Sequence, residues 1–172
     1  SFGAMARSLR LMALGMADYA GFAARRADAN ARGKLLGIGM SNTIERAAAP
    51  GFEGGEIRFD RSGTATVLSG ATNHGQGHET VFKQLVADRL GLEIDDIHYG
   101  QGDTDIVPFG QGTGGSRSAT IGGSALLMAS DKIIEKATEI AAHLLEAAVD
   151  DIEFDEGVFA IAGTDRQVTI TE

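Results

Sequence analysis

An α+β fold, with a mixed sheet and hairpins packed against three main helices, is what this sequence predicts. Three observations carry that expectation. Apolar residues recur every three or four positions in three separate runs, as in helices with one buried face. Short alternating stretches bounded by turn residues lie between those runs and read as strands. Glycine occurs 24 times in 172 residues, against two prolines. That is roughly double the average usage of about 7%, and it clusters in particular loops, which points to close backbone approach there rather than to disorder.

From Met5 to about Asn30, the positions Leu9, Met12, Met16, Ala20 and Ala23 lie on one helical face, with Arg25 and Arg26 near its end where cations suit the helix dipole. Leu35 to Ile44 alternates loosely and predicts a strand, and Pro50-Gly51 marks a turn. Gly55 to Ser69 predicts a hairpin turning at Arg61-Ser62-Gly63. Val81, Phe82, Leu85, Val86 and Leu90 predict a short amphipathic helix that Gly91 closes as a left-handed cap. Ile94 to Tyr99 reads as a strand and Gly100 to Ser118 as a long glycine-rich loop. Ala119 to about Ala148 is the strongest helix, its apolar stripe through Leu126, Ile133, Ala137, Ile140 and Leu144 widened by Leu127, Ile134, Ala141 and Leu145. A face that broad is expected to be covered on several sides. A hairpin turning at Asp155-Glu156-Gly157 and a strand at Gln167 to Ile170 follow.

The composition, 43% apolar and 23% charged, is that of a globular protein. A formal net charge of −9 argues against nucleic-acid binding, which needs a basic face for phosphate. Without cysteine the chain offers no disulfide, zinc-thiolate site, iron–sulfur ligation or thiol nucleophile. No stretch of about eighteen apolar residues is present to cross a membrane, and a cytoplasmic chain is expected.

Two loops carry the chemistry. His74-Gly75-Gln76-Gly77-His78-Glu79-Thr80 leads into the helix beginning at Val81, and Thr113-Gly114-Gly115-Ser116-Arg117-Ser118 leads into the long helix. A helix start presents unpaired N–H groups and partial positive charge, and so favours an anion. Gln76, Ser116 and Ser118 add neutral hydrogen-bonding groups, and Arg117 a forked cation suited to phosphate. Two such loops point to a ligand with more than one polar or phosphate end, although glycine and serine before a helix also serve as plain caps.

Other patterns are set aside. Gly110-x-Gly112-x-x-Gly115 has dinucleotide-fold spacing but follows a loop rather than a strand. His74 and His78 have two glycines between them, which disfavours a regular helix presenting both to one metal. Asp103 and Asp105 read as turn formers, and His98 and His143 as isolated surface or structural residues. No metal ligand and no catalytic residue is assigned.

The segments Gly75 to Thr80 and Gln84 to Gly91 resemble the large, molybdopterin-binding subunits of the xanthine dehydrogenase/aldehyde oxidase/carbon monoxide dehydrogenase family. So do Gly102-Asp103-Thr104-Asp105, Pro108-Phe109-Gly110 and Gly114 to Ser118. Upstream, Gly33 to Gly39 with Glu45 and Pro50-Gly51 is also similar, as are Leu144 to Ala148 and Asp151 to Phe154 downstream. The likeness covers nearly the whole chain in order, most of all to the carbon monoxide dehydrogenase branch.

That resemblance implies a single α+β fragment, residues 1–172, of a molybdopterin-binding domain. It implies a molybdenum cofactor carried on a pterin, as the cytosine dinucleotide, and oxidative hydroxylation with water-derived oxygen. Gly75, Gln76, Gly77, His78 and Thr80 would bind the pterin and its phosphates, and Thr113, Gly114, Gly115, Ser116, Arg117 and Ser118 would lie along it near the metal. The implied partners are the rest of the large subunit, iron–sulfur and flavin subunits or domains, and a small-molecule substrate among purines, aldehydes, N-heterocycles or carbon monoxide. The family places a glutamate base in a Gly-x-Gly-Glu segment that this chain does not contain. The isolated chain is therefore expected to be inactive and to hold the cofactor weakly or not at all. The alternatives are a stand-alone nucleotide- or phosphate-binding module without redox activity, and a degenerate structural subunit.

Overall fold

A computed structural model describes residues 2–41, 47–48 and 51–172, residues 2–6 by their backbone alone. The chain forms two compact units, Ser1–Ile44 and Glu45–Glu172.

The first unit holds two helices, α1 (Phe2–Met16) and α2 (Phe22–Ala31), where the sequence pattern predicts one. The break lies at Asp18, whose φ is +43°. Its carboxylate accepts the Gly21 N–H at 3.1 Å and pairs with Arg25, whose guanidinium also donates to the Ala17 and Asp18 carbonyls at 2.8 and 2.9 Å. A short acidic side chain that bonds the local backbone competes with the helix ladder, and here it wins. The strand expected from Leu35 is absent over 34–41: these residues are irregular and Leu35 is 97% exposed. A strand without a neighbour has nothing to pair its backbone groups. The remainder of that expectation, the Pro50 half of the predicted turn and Glu45 all lie outside the described residues.

In the second unit β1 (Gly55–Phe59) and β2 (Ala65–Ser69) form the expected antiparallel hairpin. Asp60 organises its turn by accepting from the Ser62 N–H at 2.7 Å and from the hydroxyls of Ser62 and Thr64. The chain then passes through helix α3 (His78–Leu90) to β3 (Ile97–Gln101), which pairs parallel to β2. The sheet order is therefore β1-β2-β3. A 3-10 turn, Ile94–Asp96, occupies the first half of the expected strand.

The registers line up two rows across one sheet face, Ile57–Val67–Tyr99 and Phe59–Ala65–Ile97. Against them pack Phe82, Val86 and Leu90 of α3 and Leu126 of helix α4 (Gly123–Leu144), all essentially inaccessible to solvent. Each large apolar side chain so buried contributes about 1.5–3 kcal/mol. Alpha-helix α4 is preceded by a single π-helical turn, Ser118–Gly122, and ends four residues before the expected Ala148. It packs on α3, β1 and the segment Ile152–Asp155, the expected cover on several sides, while Leu127, Ile140 and Leu144 stay 40–55% exposed.

A second antiparallel sheet, β4 (Ile152–Asp155), β5 (Val158–Ile161) and β6 (Gln167–Thr169), follows α4. Its first hairpin turns at Glu156-Gly157 with φ of +42° and +84°. That turn lies against the end of α3, where Gly91 takes the predicted left-handed cap at φ +66° and donates to the Ala87 carbonyl at 2.8 Å. Among the described residues, no helix is long and apolar enough to cross a membrane.

Candidate functional site

The two glycine loops leave the same end of the first sheet. The stretch 70–77 follows β2, and 102–117 follows β3, so parallel pairing of those strands sets the loops side by side. In such βαβ arrangements ligands bind beyond the carboxyl ends of the strands.

Close packing joins them. A Cβ on Gly70 would lie 2.3 Å from the Gly110 Cα, and one on Gly110 would lie 2.4 Å from the Gly70 Cα. Only glycine at both positions permits that crossing. The Gly112 N–H donates to the Gly70 carbonyl at 3.2 Å, and the Thr113 hydroxyl donates to the Thr72 carbonyl at 2.5 Å. Thr113 also shares a 3.1 Å hydroxyl contact with Ser118. A cleft of about 180 Å³ opens beside this junction, lined by Gly70, Thr72, Gly102, Asp103, Val107 and Gly112 among others.

The first loop is shaped by its own polar groups. The Asn73 carbonyl oxygen Oδ1 accepts the Gly75 N–H at 3.1 Å, and Gln101 Oε1 accepts the Asn73 N–H at 2.8 Å. Gln76 folds its amide oxygen back onto the His74 N–H. Helix α3 begins three residues earlier than the apolar pattern indicates, so His78 and Thr80 belong to its first turn. Its N-cap, Gly77, supplies no side-chain cap, and the first bond of the helix runs from the Val81 N–H to the Gly77 carbonyl at 3.1 Å.

His78 is 6% exposed and stacks on Phe82, with ring centroids 5.4 Å apart. Burial, with a smaller contribution from the charge of His74, pushes its pKa below the ordinary histidine value. Burial likewise raises the Tyr99 hydroxyl above the ordinary tyrosine value.

Arg117 turns inward instead of offering its charge to solvent. It is 8% exposed, with Nη2 donating to the Phe52 carbonyl at 2.6 Å and pairing with Glu53 at 3.3 Å. The forked cation expected to suit phosphate thus has one nitrogen engaged by Glu53 and Phe52. Gly75, Gln76, Thr80, Gly114, Gly115 and Ser116 are exposed, Gly77 and Thr113 half-buried, and His78, Arg117 and Ser118 buried. The sequence did not mark Glu53, Thr72, Asn73, Gln101 or Gln111 as parts of the site. Asn73 sits beside the glycine motif and was within reach of a turn argument; Glu53 carries no local signal, because its partner Gln111 is 58 residues away.

Among the described residues, the buried side-chain nitrogens without a hydrogen-bond partner are His78 Nδ1 and Arg117 Nε, one at each loop. Buried polar atoms of this kind normally have partners, and among the described residues these two have none. Added Cβ atoms at Gly75, Gly77, Gly112 and Gly114 would meet nothing within 4 Å. The arrangement fits a polar ligand laid along bare backbone. Among the described residues no three His, Cys, Asp or Glu gather to hold a metal.

An α+β scaffold that presents two joined glycine loops beyond the carboxyl ends of parallel strands has the form of a ligand-binding domain. Residues 12–172 match the family model of the molybdopterin cofactor-binding domain, and the chain belongs to that family. It is 37% identical over 142 residues to the 6-hydroxypseudooxynicotine dehydrogenase complex subunit gamma of Paenarthrobacter nicotinovorans, covering 83% of this chain and 18% of that protein. It is 39% identical over 130 residues to the carbon monoxide dehydrogenase large chain of Afipia carboxidovorans, covering 76% and 16%. The crystal structure of the Cu,Mo-CO dehydrogenase in its carbon monoxide-reduced state superposes with a TM-score of 0.69 at 32% identity, over 93% of this chain and 22% of that one. The chain thus spans under a quarter of the length of these relatives.

Proposed function

We propose that this chain forms part of the cofactor cradle of a molybdenum hydroxylase large subunit, holding molybdopterin as its cytosine dinucleotide. The observation that carries the reading is the pair of unpartnered buried nitrogens, His78 Nδ1 and Arg117 Nε, one at each of two joined loops. Both units belong to one cofactor-binding domain in this reading, since the family match at residues 12–172 spans them.

The residues divide the work. The open end of α3 at Gly77, His78 and Thr80 receives a phosphate group, with the exposed Gln76 amide beside it. Gly75, Gly114 and Gly115 let the flat pterin approach the backbone, and Ser116 borders it. Thr113 and Ser118 hold the second loop in shape, and Arg117 contributes Nε while its charge stays with Glu53. When bound, the group would supply two-electron redox chemistry for hydroxylation with water-derived oxygen. The residues of this chain bind and orient it.

The hydroxylase activity, a small-molecule substrate, and the iron–sulfur and flavin partners that remove electrons belong to the same proposal for the whole protein. The isolated chain is inactive and retains the cofactor weakly, since it supplies only part of the cradle. Metal analysis together with acid release of the nucleotide tests this. The natural full-length protein should carry molybdenum near one equivalent and release cytidine monophosphate, while the 172-residue chain alone carries little of either. No molybdenum in the full-length protein would overturn the reading. Tight binding of a nucleotide without metal would establish the stand-alone module instead.

A further inference from the structure

Glu53 ties the start of β1 to two points, Gln111 and Arg117, of the distant second loop. Its side chain, 2% exposed, accepts the Gly54 N–H at 3.3 Å at the start of β1. It accepts the Gln111 N–H at 3.1 and 3.4 Å in the segment that crosses Gly70. It pairs at 3.3 Å with Arg117, where the chain turns toward α4. The same Arg117 nitrogen donates to the Phe52 carbonyl at 2.6 Å, and Phe52 stacks on Phe109 with centroids 4.8 Å apart.

We propose that Glu53 and Arg117 form a buried latch that sets the spacing of the two glycine loops, which makes them positioning residues for the cradle. The inference rests on the cofactor reading above. The latch presses Gly110 against Gly70, and the Thr113 hydroxyl carries the restraint across to Thr72, the residue before the Asn73 turn. Burying a charged pair contributes little net stability compared with an apolar pair of similar size, because both ions lose their hydration. Its directional bonds do what an apolar contact would not: they fix residue 111 relative to residues 53 and 117.

The test is amide hydrogen exchange on the intact natural polypeptide carrying this chain, read beside its molybdenum content. Glu53→Gln keeps the shape and one acceptor but removes the charge. It should speed exchange by roughly tenfold, as expected for losing a hydrogen bond to a charged group. The acceleration should appear at Gln111 and Gly112 and also across Asn73 to Gly75, with the core amides of Val67 and Ile97 unchanged. Thr113→Val, which cuts the link and leaves the ion pair, should speed only Asn73 to Gly75, and Thr113→Ser should restore slow exchange. Exchange confined to Gln111 and Gly112 in Glu53→Gln, or an equal rise at Val67 and Ile97, would overturn the latch. The expected exchange pattern with unchanged molybdenum content would leave the latch standing and remove the cofactor reading of these loops.

Discussion

Replacing Gly91 with alanine probes the seam between α3 and the second sheet. An alanine there would have to keep φ at +66°, a left-handed conformation that costs an L residue about 1–2 kcal/mol. Its Cβ would also lie 2.0 Å from the Glu156 carbonyl carbon and 2.1 Å from the Gly157 nitrogen. Those are backbone atoms of a tight turn, and Gly157 is tied further by accepting the Ile170 N–H at 2.8 Å. The seam must therefore open, at the overpacking cost of about 1–3 kcal/mol. Together the two effects come to about 2–5 kcal/mol. Gly163→Ala is the matched control: φ is +73°, but nothing lies within 4 Å of an added Cβ. It should lose only about 1–2 kcal/mol. Urea unfolding of both variants, with midpoint and slope fitted together, separates the two contributions. Equal losses in the two variants would mean that the seam yields without cost, and the close-approach argument would fail.

Three further outcomes are expected. Glu53→Ala should destabilise by about 3–5 kcal/mol, because Arg117 is left buried without its counter-charge, whereas Glu53→Met with Arg117→Met should recover much of the loss; thermal unfolding of the single and double variants compares them. Phe82→Ala, at a site 1% exposed, should cost about 3–5 kcal/mol by the same measurement. Asp60 has its pKa lowered to about 2 by the Ser62 and Thr64 hydroxyls. Its contribution should be complete above the ordinary carboxylate value near 3.8 and disappear as the pH falls through about 2, and Asp60→Asn should abolish that part of the acid transition.

What the sequence revealed and what it hid divide along a physical line. Gly91 as the cap of α3, the hairpin turning at Arg61-Ser62-Gly63 and the one turning at Asp155-Glu156-Gly157 are written in neighbouring residues, and the structure holds a cap and two antiparallel hairpins there. The break at Asp18 depends on a side chain outcompeting a good apolar period, which spacing alone does not register. The early start of α3 was hidden because His78, Glu79 and Thr80 add nothing to the apolar stripe. The two loops were visible from glycine and serine content, but their junction was not. It depends on Gly70 meeting Gly110 and on Glu53 meeting Gln111, contacts that exist only after β2 and β3 have paired. Arg117 shows the same limit, since composition identifies a cation and only the fold shows it already paired.

The parallel pairing of β2 and β3 has a consequence for synthesis. The β1–β2 hairpin is local and can close within microseconds of leaving the ribosome. The bond from Thr113 to Thr72 spans 41 residues, which take about 2–8 s to make at common translation rates of about 5–20 residues per second. Through that interval the first glycine loop waits without its partner loop, and the junction of the two can close only once residue 113 has emerged and folded back.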